Sequence, residues 1–250
     1  MSTLIDNSEL FWQVESALAS VCALTRDEEL MSRFTADFAL RFCWSSNAIE
    51  GNTLSLEETV AFVEHDEVKD GHTYSEYTEA KNLYRAIRDS MIPFRKQEIT
   101  EEWIKENNGK IYGADGGYRT VPRAIGTLIE TVFVPPSPEL IPSLMREYCG
   151  NVNFKAETFS EKIEGVAISH LKFERIHPFF DGNGRTGRMI MNQQLINHGL
   201  LPVAINRNSD YRASFKRYDR NGDVSQLVHV ILAGELEAVE RLKKFKEIVG

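Results

Sequence analysis

Helical periodicity is the feature that most limits what this chain of 250 residues can fold into. Behind Thr73 and Glu76, which match a capping box, apolar residues recur in alternating steps of three and four as far as Met91. Similar helix-start signals are found at Thr25 with Glu28, at Ser55 with Glu58 and at Thr100. Because residues three and four apart share one face of an α-helix, this spacing predicts a mainly α protein.

The composition of the chain changes between Gly117 and Pro136, where the helical pattern is interrupted. This segment, GYRTVPRAIGTLIETVFVPP, is rich in β-branched residues and is bounded by Gly-Gly and Pro-Pro. Such a composition predicts a short hairpin or two irregular strands. The chain contains no internal repeat and no linker-like Gly/Ser run. We therefore expect one structural unit, a helical domain with one small β-hairpin.

Composition argues against several classes of protein. The chain has 37 acidic and 29 basic residues, a formal net charge of −8, so we expect no direct binding to nucleic acid. Cys22, Cys43 and Cys149 are widely spaced and form no metal-binding pair, which is typical of a reducing compartment. We find neither a signal-peptide pattern nor an apolar run of membrane-spanning length. These features predict a soluble, cytoplasmic protein.

The stretch RIHPFFDGNGRTGR, Arg175–Arg188, concentrates a histidine, an acid, three glycines and three arginines. Its GNGRTG matches G-x-G-x-x-G, but the dinucleotide-binding form of that motif must follow a β-strand, and here the preceding residues have helical periodicity. A protein-kinase interpretation lacks the lysine strand and the H-R-D and D-F-G elements. A Walker A loop is also absent. The stretch therefore belongs to another kind of site.

The residue types in this stretch indicate an anion site. A glycine-rich turn entering a helix directs free backbone N–H groups at one point, and the helix dipole adds to the attraction. Arg185 and Arg188 share a helix face and suit phosphate oxygens. Asp181 suits Mg²⁺ held by one carboxylate and the substrate phosphates, and His177 could take a proton from a hydroxyl. Each piece alone also suits an ordinary turn, loop or solvated helix start, but their ordered combination favours transfer of a phosphate-containing group.

Residues 177–188, HPFFDGNGRTGR, resemble the Fic-domain signature H-P-F-x-[DE]-G-N-G-R-x-x-R at every defined position. The likeness extends to the hairpin and the flanking helices. It implies a Fic-like helical bundle with one small β-hairpin, the flap. The implied organisation is a set of N-terminal helices over residues 1–74, including an inhibitory helix, packed on a Fic core over residues 75–235, with residues 236–250 ending the last helix.

Fic enzymes mostly transfer AMP from ATP to a hydroxyl of a target protein and release pyrophosphate, and the resemblance implies that reaction here, with ATP as substrate and Mg²⁺ as cofactor. It implies that His177 deprotonates the Ser, Thr or Tyr hydroxyl and that Asp181 holds Mg²⁺. Phe179 would anchor the loop by packing. The phosphate-binding residues would be Gly182, Asn183, Gly184, Arg185 and Arg188. The Gly-Asn-Gly-Arg sequence is kept, whereas the kinase-like branch of the superfamily departs from it, and this favours AMP transfer.

Three further assignments depend on position. The hairpin over residues 118–134 resembles the flap, on which an extended segment of the target protein docks by strand addition; the alternative is a structural hairpin that closes the core. Tyr211 resembles the family's adenine-side tyrosine, and the alternative is a core aromatic residue. His170, on an apolar helix face, is interpreted as a core histidine that belongs to neither the loop site nor the inhibitory motif.

SSNAIEGN, residues 45–52, matches the inhibitory motif [ST]-x-x-x-E-[GN] of Fic proteins, with Ser46 and Glu50 four residues apart. Its position resembles the branch with an N-terminal inhibitory helix. There the glutamate pairs with the second arginine of the loop, so the resemblance implies that Glu50 pairs with Arg188 and displaces the γ-phosphate. Because the motif is short, a chance match is the alternative.

Two other functions stay open at the level of sequence. The first is a de-AMPylating phosphodiesterase in which Glu50 orients a water molecule. The second is a toxin-like regulatory module that senses nucleotide without turnover. The motifs do not specify the target protein, the type of residue modified, the signal that releases Glu50, or whether the chain forms an oligomer.

Overall fold

The fold is described by a computed structural model for residues 4–126, 131–206 and 208–249. Within these ranges the helices are α1 (Ser8–Val21), α2 (Glu28–Ile49), α3 (Leu56–His65), α4 (Tyr74–Met91), α5 (Glu101–Tyr112), α6 (Ile141–Asn151), α7 (Phe159–Ile176), α8 (Asn183–Asn197), α9 (Asn208–Asn221) and α10 (Ser225–Val249). The prediction of a mainly α protein is confirmed. None of these helices is long and apolar enough to cross a membrane.

Two short strands, β1 (Ile125–Gly126) and β2 (Thr131–Phe133), lie between α5 and α6 and pair antiparallel. They fall in the segment whose β-branched residues predict extended structure. The residues that would join them, 127–130, lie outside the described residues. The hairpin as a whole therefore stays a prediction, whereas the antiparallel pairing of its two sides is part of the structure.

Of the four helix starts predicted from capping residues, three are confirmed, at α3, α4 and α5, and one is wrong. The capping boxes predicted at the starts of α3 and α4 are confirmed. The box predicted at Thr25 is wrong, because Leu24–Arg26 is a 3₁₀ turn and Asp27 caps α2 by accepting a hydrogen bond from the Leu30 N–H at 3.0 Å. The Thr25 hydroxyl donates to the Cys22 carbonyl instead. Asp caps at least as well as Thr, so the chain uses the acid immediately before the helix.

Helix α8 is buried along nearly its whole length, although its sequence is rich in amides. Its neighbours are α2, α4, α5 and α7. The buried amide side chains form hydrogen bonds with backbone groups of other segments: Asn192 donates to the Val203 carbonyl at 3.0 Å, and Gln194 donates to the Val152 carbonyl at 2.7 Å. A buried polar side chain is tolerated when it is hydrogen-bonded in this way. The loop that precedes α8 therefore lies in the interior of the bundle.

Helix α2 leads from one side of the bundle to the start of α8. Phe34, Phe38 and Phe42 bury its apolar face, each contributing about 1.5–3 kcal/mol to stability. On its other side, Asp37 accepts two hydrogen bonds from Arg241 of α10, at 2.7 and 2.8 Å. With both faces held, α2 brings its C-terminal end to a defined place beside α8.

Candidate active site

His177 lies at the C-terminal end of α7 in a left-handed conformation, with φ 48° and ψ 60°. That conformation costs a residue with a side chain roughly 1–2 kcal/mol, so its surroundings must hold it. The His177 N–H donates to the Phe173 carbonyl at 3.0 Å, and its carbonyl accepts from Arg119 Nε at 2.8 Å. Pro178 follows, and its ring prevents the helix from continuing. The backbone of His177 is thus fixed on both sides.

The ring of His177 is held in its neutral form. Burial, together with the smaller effects of the positive charges of Arg119 and Arg123, lowers its pKa to about 4. A hydrogen bond with the backbone of Glu174 and the charge of Glu50 act in the opposite direction. At neutral pH the ring therefore has an unprotonated nitrogen that can accept a proton.

The loop after His177 is closed by its own asparagine. Asn183 Oδ1 accepts from the Phe179 N–H at 2.8 Å, and Asn183 Nδ2 donates to the Phe179 carbonyl at 2.9 Å. Phe179 itself is fully buried. Both polar atoms of the Asn183 side chain are therefore occupied within the loop. The side chain of Asn183 thus stabilises the conformation of the loop.

The N-terminus of α8 faces Glu50. Gly182, the cap residue, has φ 75°, which a glycine adopts without penalty, and α8 has no side-chain cap. The N–H groups in the first turn of a helix have no partner inside the helix. A Cβ added at Gly184 would collide with the Glu50 carboxylate, so the absence of a side chain there allows the carboxylate to lie against the loop.

Arg185 is buried but poorly partnered. Its Nη2 lies 3.6 Å from Asp181 Oδ1, and its Nη1 lies 3.6 Å from Glu79 Oε1. Among the described residues, no hydrogen-bond partner is present for Nε or Nη1. Leaving a buried donor unpaired costs about 1–3 kcal/mol. The Arg185 guanidinium is therefore arranged to take additional acceptors, for which phosphate oxygens are well suited.

Arg188, by contrast, has partners for all three guanidinium nitrogens. Its Nε donates to Ser46 Oγ at 2.8 Å, and its Nη2 donates to the Ser46 carbonyl at 2.9 Å and to Glu50 Oε1 at 2.6 Å. Its Nη1 donates to the Tyr211 hydroxyl at 3.2 Å. Burial opposes ionisation of Glu50, but the charge and hydrogen bond of Arg188 outweigh it and lower the Glu50 pKa. The two side chains thus form a charged pair.

Tyr211 and His170 lie behind Arg188, inside the core. The His170 Nδ1 lies 3.1 Å from the Gly187 carbonyl, which can only accept, so Nδ1 carries the hydrogen. Burial lowers the pKa of His170 to about 3, so its Nε2, 2.8 Å from the Tyr211 hydroxyl, accepts from that hydroxyl. The hydroxyl oxygen is thereby left to accept from Arg188.

These positions bear on the interpretation of Tyr211 and His170. Tyr211 is 2% exposed and packs in the core, so its ring does not line the cavity as an adenine-side residue would. Its hydroxyl instead supports Arg188. His170 is the buried core histidine that the sequence predicts, but it is connected to the site through Tyr211. No local sequence pattern predicts the contacts of Tyr211 with His170 and Arg188, because the three residues come from three different helices, α9, α7 and α8.

A cavity of about 280 Å³ opens in front of the loop. Its lining includes Glu50, His177, Asp181, Gly184 and Arg123. Ligand pockets usually measure about 300–1,000 Å³, so with Glu50 in place this one is small for a nucleotide. Among the described residues no three His, Cys, Asp or Glu side chains gather as a complete metal site. A cation at Asp181 would therefore take its remaining ligands from substrate and water, as Mg²⁺ does beside phosphates.

Comparisons with known proteins identify one matching family. Residues 98–195 match the model of the Fic/DOC family. The chain is 33% identical over 182 residues to "Protein adenylyltransferase Fic" of Nematostella vectensis, covering 70% of this chain and 42% of that protein. It is 30% identical over 210 residues to "Protein adenylyltransferase fic-1" of Caenorhabditis elegans, covering 80% and 40%. The chain thus spans about two fifths of the length of these relatives.

A solved structure gives the same fold. It is described as a Fic domain containing signaling protein from Bacteroides thetaiotaomicron, and it superposes with a TM-score of 0.81 at 24% sequence identity. The match covers 95% of this chain and 97% of that one. The arrangement of the helices around the loop is therefore shared with a protein whose sequence has diverged widely.

Proposed function

Because the chain belongs to the Fic/DOC family, we propose that it is a protein adenylyltransferase, which transfers AMP from ATP to a hydroxyl side chain of a target protein or of itself. The observation that carries the proposal is the meeting of His177 and Asp181 with the N-terminus of α8 in one cavity. The names of the relatives support the same reaction.

In the proposed reaction, His177 accepts the proton of the acceptor hydroxyl. The oxygen attacks the α-phosphorus of ATP, the bond from that phosphorus to the bridging oxygen breaks, and pyrophosphate leaves. The low pKa of His177, about 4, keeps the ring available as a base at neutral pH. Nucleotidyl transfer needs mainly in-line positioning and neutralisation of charge, which a fixed loop supplies.

The phosphates are bound by the loop and by the start of α8. The first-turn N–H groups and the unpaired donors of Arg185 support this assignment. The side chain of Asp181 is 55% exposed at the cavity and would hold Mg²⁺, which neutralises phosphate charge when bound. Arg188 binds the outer phosphates once its pair with Glu50 has opened, and Tyr211 acts as its support.

The target protein docks on the flap over residues 118–134. Strand β2 offers a backbone edge for an extended segment, and the bridge between Tyr118 and Phe179 connects the flap to the loop. Strand addition of this kind demands little of the target's sequence, since backbone hydrogen bonds supply the contacts. The acceptor hydroxyl is thereby presented beside His177.

Glu50 inhibits the enzyme by occupying Arg188. The 2.6 Å contact between Glu50 Oε1 and Arg188 Nη2 supports this part of the proposal, as does the closeness of the carboxylate to Gly184. A carboxylate and a γ-phosphate compete for the same guanidinium. With Glu50 paired, ATP lacks one of its clamps.

Replacing Glu50 by glycine tests the proposal. We expect Glu50→Gly to raise self-modification with ATP labelled in its α-phosphate by at least about tenfold, the change that 1.4 kcal/mol of differential binding produces. Glu29→Gly is the matched control, because Glu29 lies at the other end of α2 and is 67% exposed. Equal transfer before and after Glu50→Gly would refute autoinhibition. If Glu50→Gly consumes no nucleotide donor, the chain is a nucleotide-sensing module.

His177→Ala in the Glu50→Gly background tests the base. We expect transfer to fall by about 10²–10⁴-fold, the usual contribution of general-base catalysis, while ATP affinity stays within about twofold. Persistent transfer would remove His177 as the base.

A second candidate is the opposing reaction, hydrolytic removal of AMP from a modified protein. The observation that favours it is that Glu50 and His177 line the same cavity, where a carboxylate can orient a water molecule. Incubating the unmodified wild-type chain with AMP-modified Glu50→Gly protein distinguishes the two. Release of free AMP supports removal, and retention of the label contradicts it.

A further inference from the structure

Arg119 joins three main-chain carbonyls with one buried side chain. It lies between α5 and β1 and is 3% exposed. Its Nε donates to the His177 carbonyl at 2.8 Å, its Nη1 to the Val121 carbonyl at 3.1 Å, and its Nη2 to the Pro136 carbonyl at 2.6 Å. Val121 precedes β1 and Pro136 follows β2. One guanidinium therefore holds both ends of the flap and the backbone of His177.

The main chain strengthens the same connection. The Arg119 N–H donates to the Pro178 carbonyl at 2.9 Å, and Tyr118 forms an isolated bridge with Phe179, with ring centroids 5.6 Å apart. The start of the flap is thus attached to the loop directly after His177. By contrast, Pro136, which follows the flap, is connected to His177 through the guanidinium of Arg119, which donates to both carbonyls.

We propose that Arg119 is a positioning residue that sets the register between the acceptor hydroxyl on the flap and the ring of His177. The inference rests on the proposed function. A general base must come within about 2.6–3.2 Å of the proton it removes. An acceptor paired with the flap is placed relative to β1 and β2, whereas the base is placed by the end of α7. A misplacement of about 1 Å between them can cost 10²-fold in rate.

Arg119 also acts on His177 through its charge, and the two effects are separable. Its positive charge is one cause of the low pKa of His177, after burial, and Arg123 contributes less. Lysine keeps the charge but has a single ammonium group, which cannot bridge three carbonyls as a planar fork does. Methionine removes both the fork and the charge. The pair of substitutions therefore assigns each effect to its cause.

The experiment compares Arg119→Lys and Arg119→Met in the Glu50→Gly background. Arg33→Met is the control, because Arg33 is a half-exposed residue of α2 paired only with Glu29 in the described contacts. Three quantities are measured: the ratio of AMP transferred to protein to AMP released into water, the affinity for ATP, and the titration midpoint of His177 followed by NMR without nucleotide. The transfer ratio reports the register, since general loss of structure lowers both products together.

We expect both Arg119 variants to lower the transfer ratio at least tenfold while ATP affinity stays within about threefold. The His177 midpoint should rise in Arg119→Met, because a nearby positive charge is lost, and stay unchanged in Arg119→Lys. Arg33→Met should change none of the three. If Arg119→Met does not fold, Arg119→Lys alone decides.

A transfer ratio in Arg119→Lys equal to that of the Glu50→Gly parent would overturn this inference and leave the proposed function intact. A parent that transfers no AMP would overturn the proposed function and this inference with it. The two failures are therefore distinguishable by the parent alone.

Discussion

Arg188 and Arg185 lie one helical turn apart, yet their surroundings differ sharply. Arg188 is satisfied from inside the protein, with Ser46 accepting two of its hydrogen bonds and Glu50 a third. Arg185 has carboxylates only at 3.6 Å and two nitrogens without hydrogen-bond partners among the described residues. We infer that Arg185 has donors free for a phosphate, whereas a phosphate must displace α2 contacts to bind the donors of Arg188. In this interpretation, Ser46 shares the inhibitory role with Glu50.

Ser46→Ala should therefore raise self-modification by a chain that retains Glu50. Removing the hydroxyl leaves the buried Nε of Arg188 unpaired in the blocked state, at a cost of about 1–3 kcal/mol. We expect an increase of about fivefold or more, but smaller than that of Glu50→Gly because the Ser46 carbonyl still accepts from Arg188. The measurement is label transfer from ATP.

Ser45→Ala is the matched control for this prediction. The Ser45 hydroxyl is buried and has no hydrogen-bond partner among the described residues, so its removal should leave transfer unchanged. Equal increases in both variants would mean that α2 loosens generally, and that the bond to Arg188 has no special part.

At the scale of secondary structure, the end of α2 is held from two sides. Arg212 of α9 donates to the Ile49 carbonyl at 2.5 Å, which satisfies one of the carbonyls that a helix end leaves free. Just beyond the helix, Asn52 donates to the Glu76 carbonyl and to Glu79 Oε2, both on α4 and both at 3.0 Å. The position of Glu50 is thus a joint property of α2, α4 and α9.

Asn52→Ala should loosen this end of α2. Three hydrogen bonds are lost, the two to α4 and one that Asn52 Oδ1 accepts from the Leu54 N–H, each contributing about 0.5–1.5 kcal/mol net, so Glu50 leaves Arg188 more often. We expect transfer to rise by about tenfold or more, together with faster hydrogen exchange at the backbone around Glu50. Asn151→Ala is the control, because Asn151 bonds only the Glu147 carbonyl of its own helix in the described contacts. Unchanged exchange and transfer in Asn52→Ala would contradict the prediction.

At the scale of the whole molecule, four buried groups are neutral in the folded protein and change how its stability depends on pH. Burial lowers the pKa of His170 to about 3 and that of His177 to about 4. Burial raises the pKa of Glu174 to about 7 and that of Glu235 well above its ordinary value of 4.5. In the unfolded chain these histidines bind protons and these acids release them at mild pH, so folding is linked to pH in two opposite directions.

The free energy of unfolding should be greatest between about pH 4.5 and 6.5, the ordinary pKa values of the glutamates and histidines. Below about pH 6.5 the unfolded chain protonates His170 and His177, and stability falls as the pH falls towards 3. Above about pH 4.5 the unfolded chain ionises Glu174 and Glu235, and stability falls as the pH rises. Within the interval the two trends oppose each other. Urea unfolding from pH 3.5 to 9 measures the curve.

Glu235→Gln isolates the alkaline side of that curve. Both carboxylate oxygens of Glu235 are buried, and an amide cannot ionise. In the variant, the decline in the free energy of unfolding above neutral pH should be shallower by about 1.4 kcal/mol per pH unit. Glu237→Gln, on the same helix α10, is the control and should keep the decline. An unaltered slope in Glu235→Gln would refute the assignment.

Local sequence was enough for the class of fold, for most helix starts and for the chemistry of the loop. Capping and periodicity act over three or four residues, and the loop residues His177–Arg188 are contiguous. The residues that determine each of these features therefore lie close together in the sequence. The one misplaced cap, Thr25 instead of Asp27, was a choice between two good caps two residues apart. Helix α8 marks the limit of such patterns, since its polar composition gives no sign that it is buried.

The environment of the loop depends on how the helices pack. Arg188 meets Ser46 across 142 residues of sequence, Arg119 meets His177 across 58, and Tyr211 meets His170 across 41. No local pattern encodes such contacts, because each of them joins two elements that are far apart in the sequence. The sequence therefore indicates which groups can bind a phosphate. The packing of the helices pairs Arg188 with Glu50 and leaves two nitrogens of Arg185 without hydrogen-bond partners among the described residues, because a buried group can use only the partners that the neighbouring elements bring.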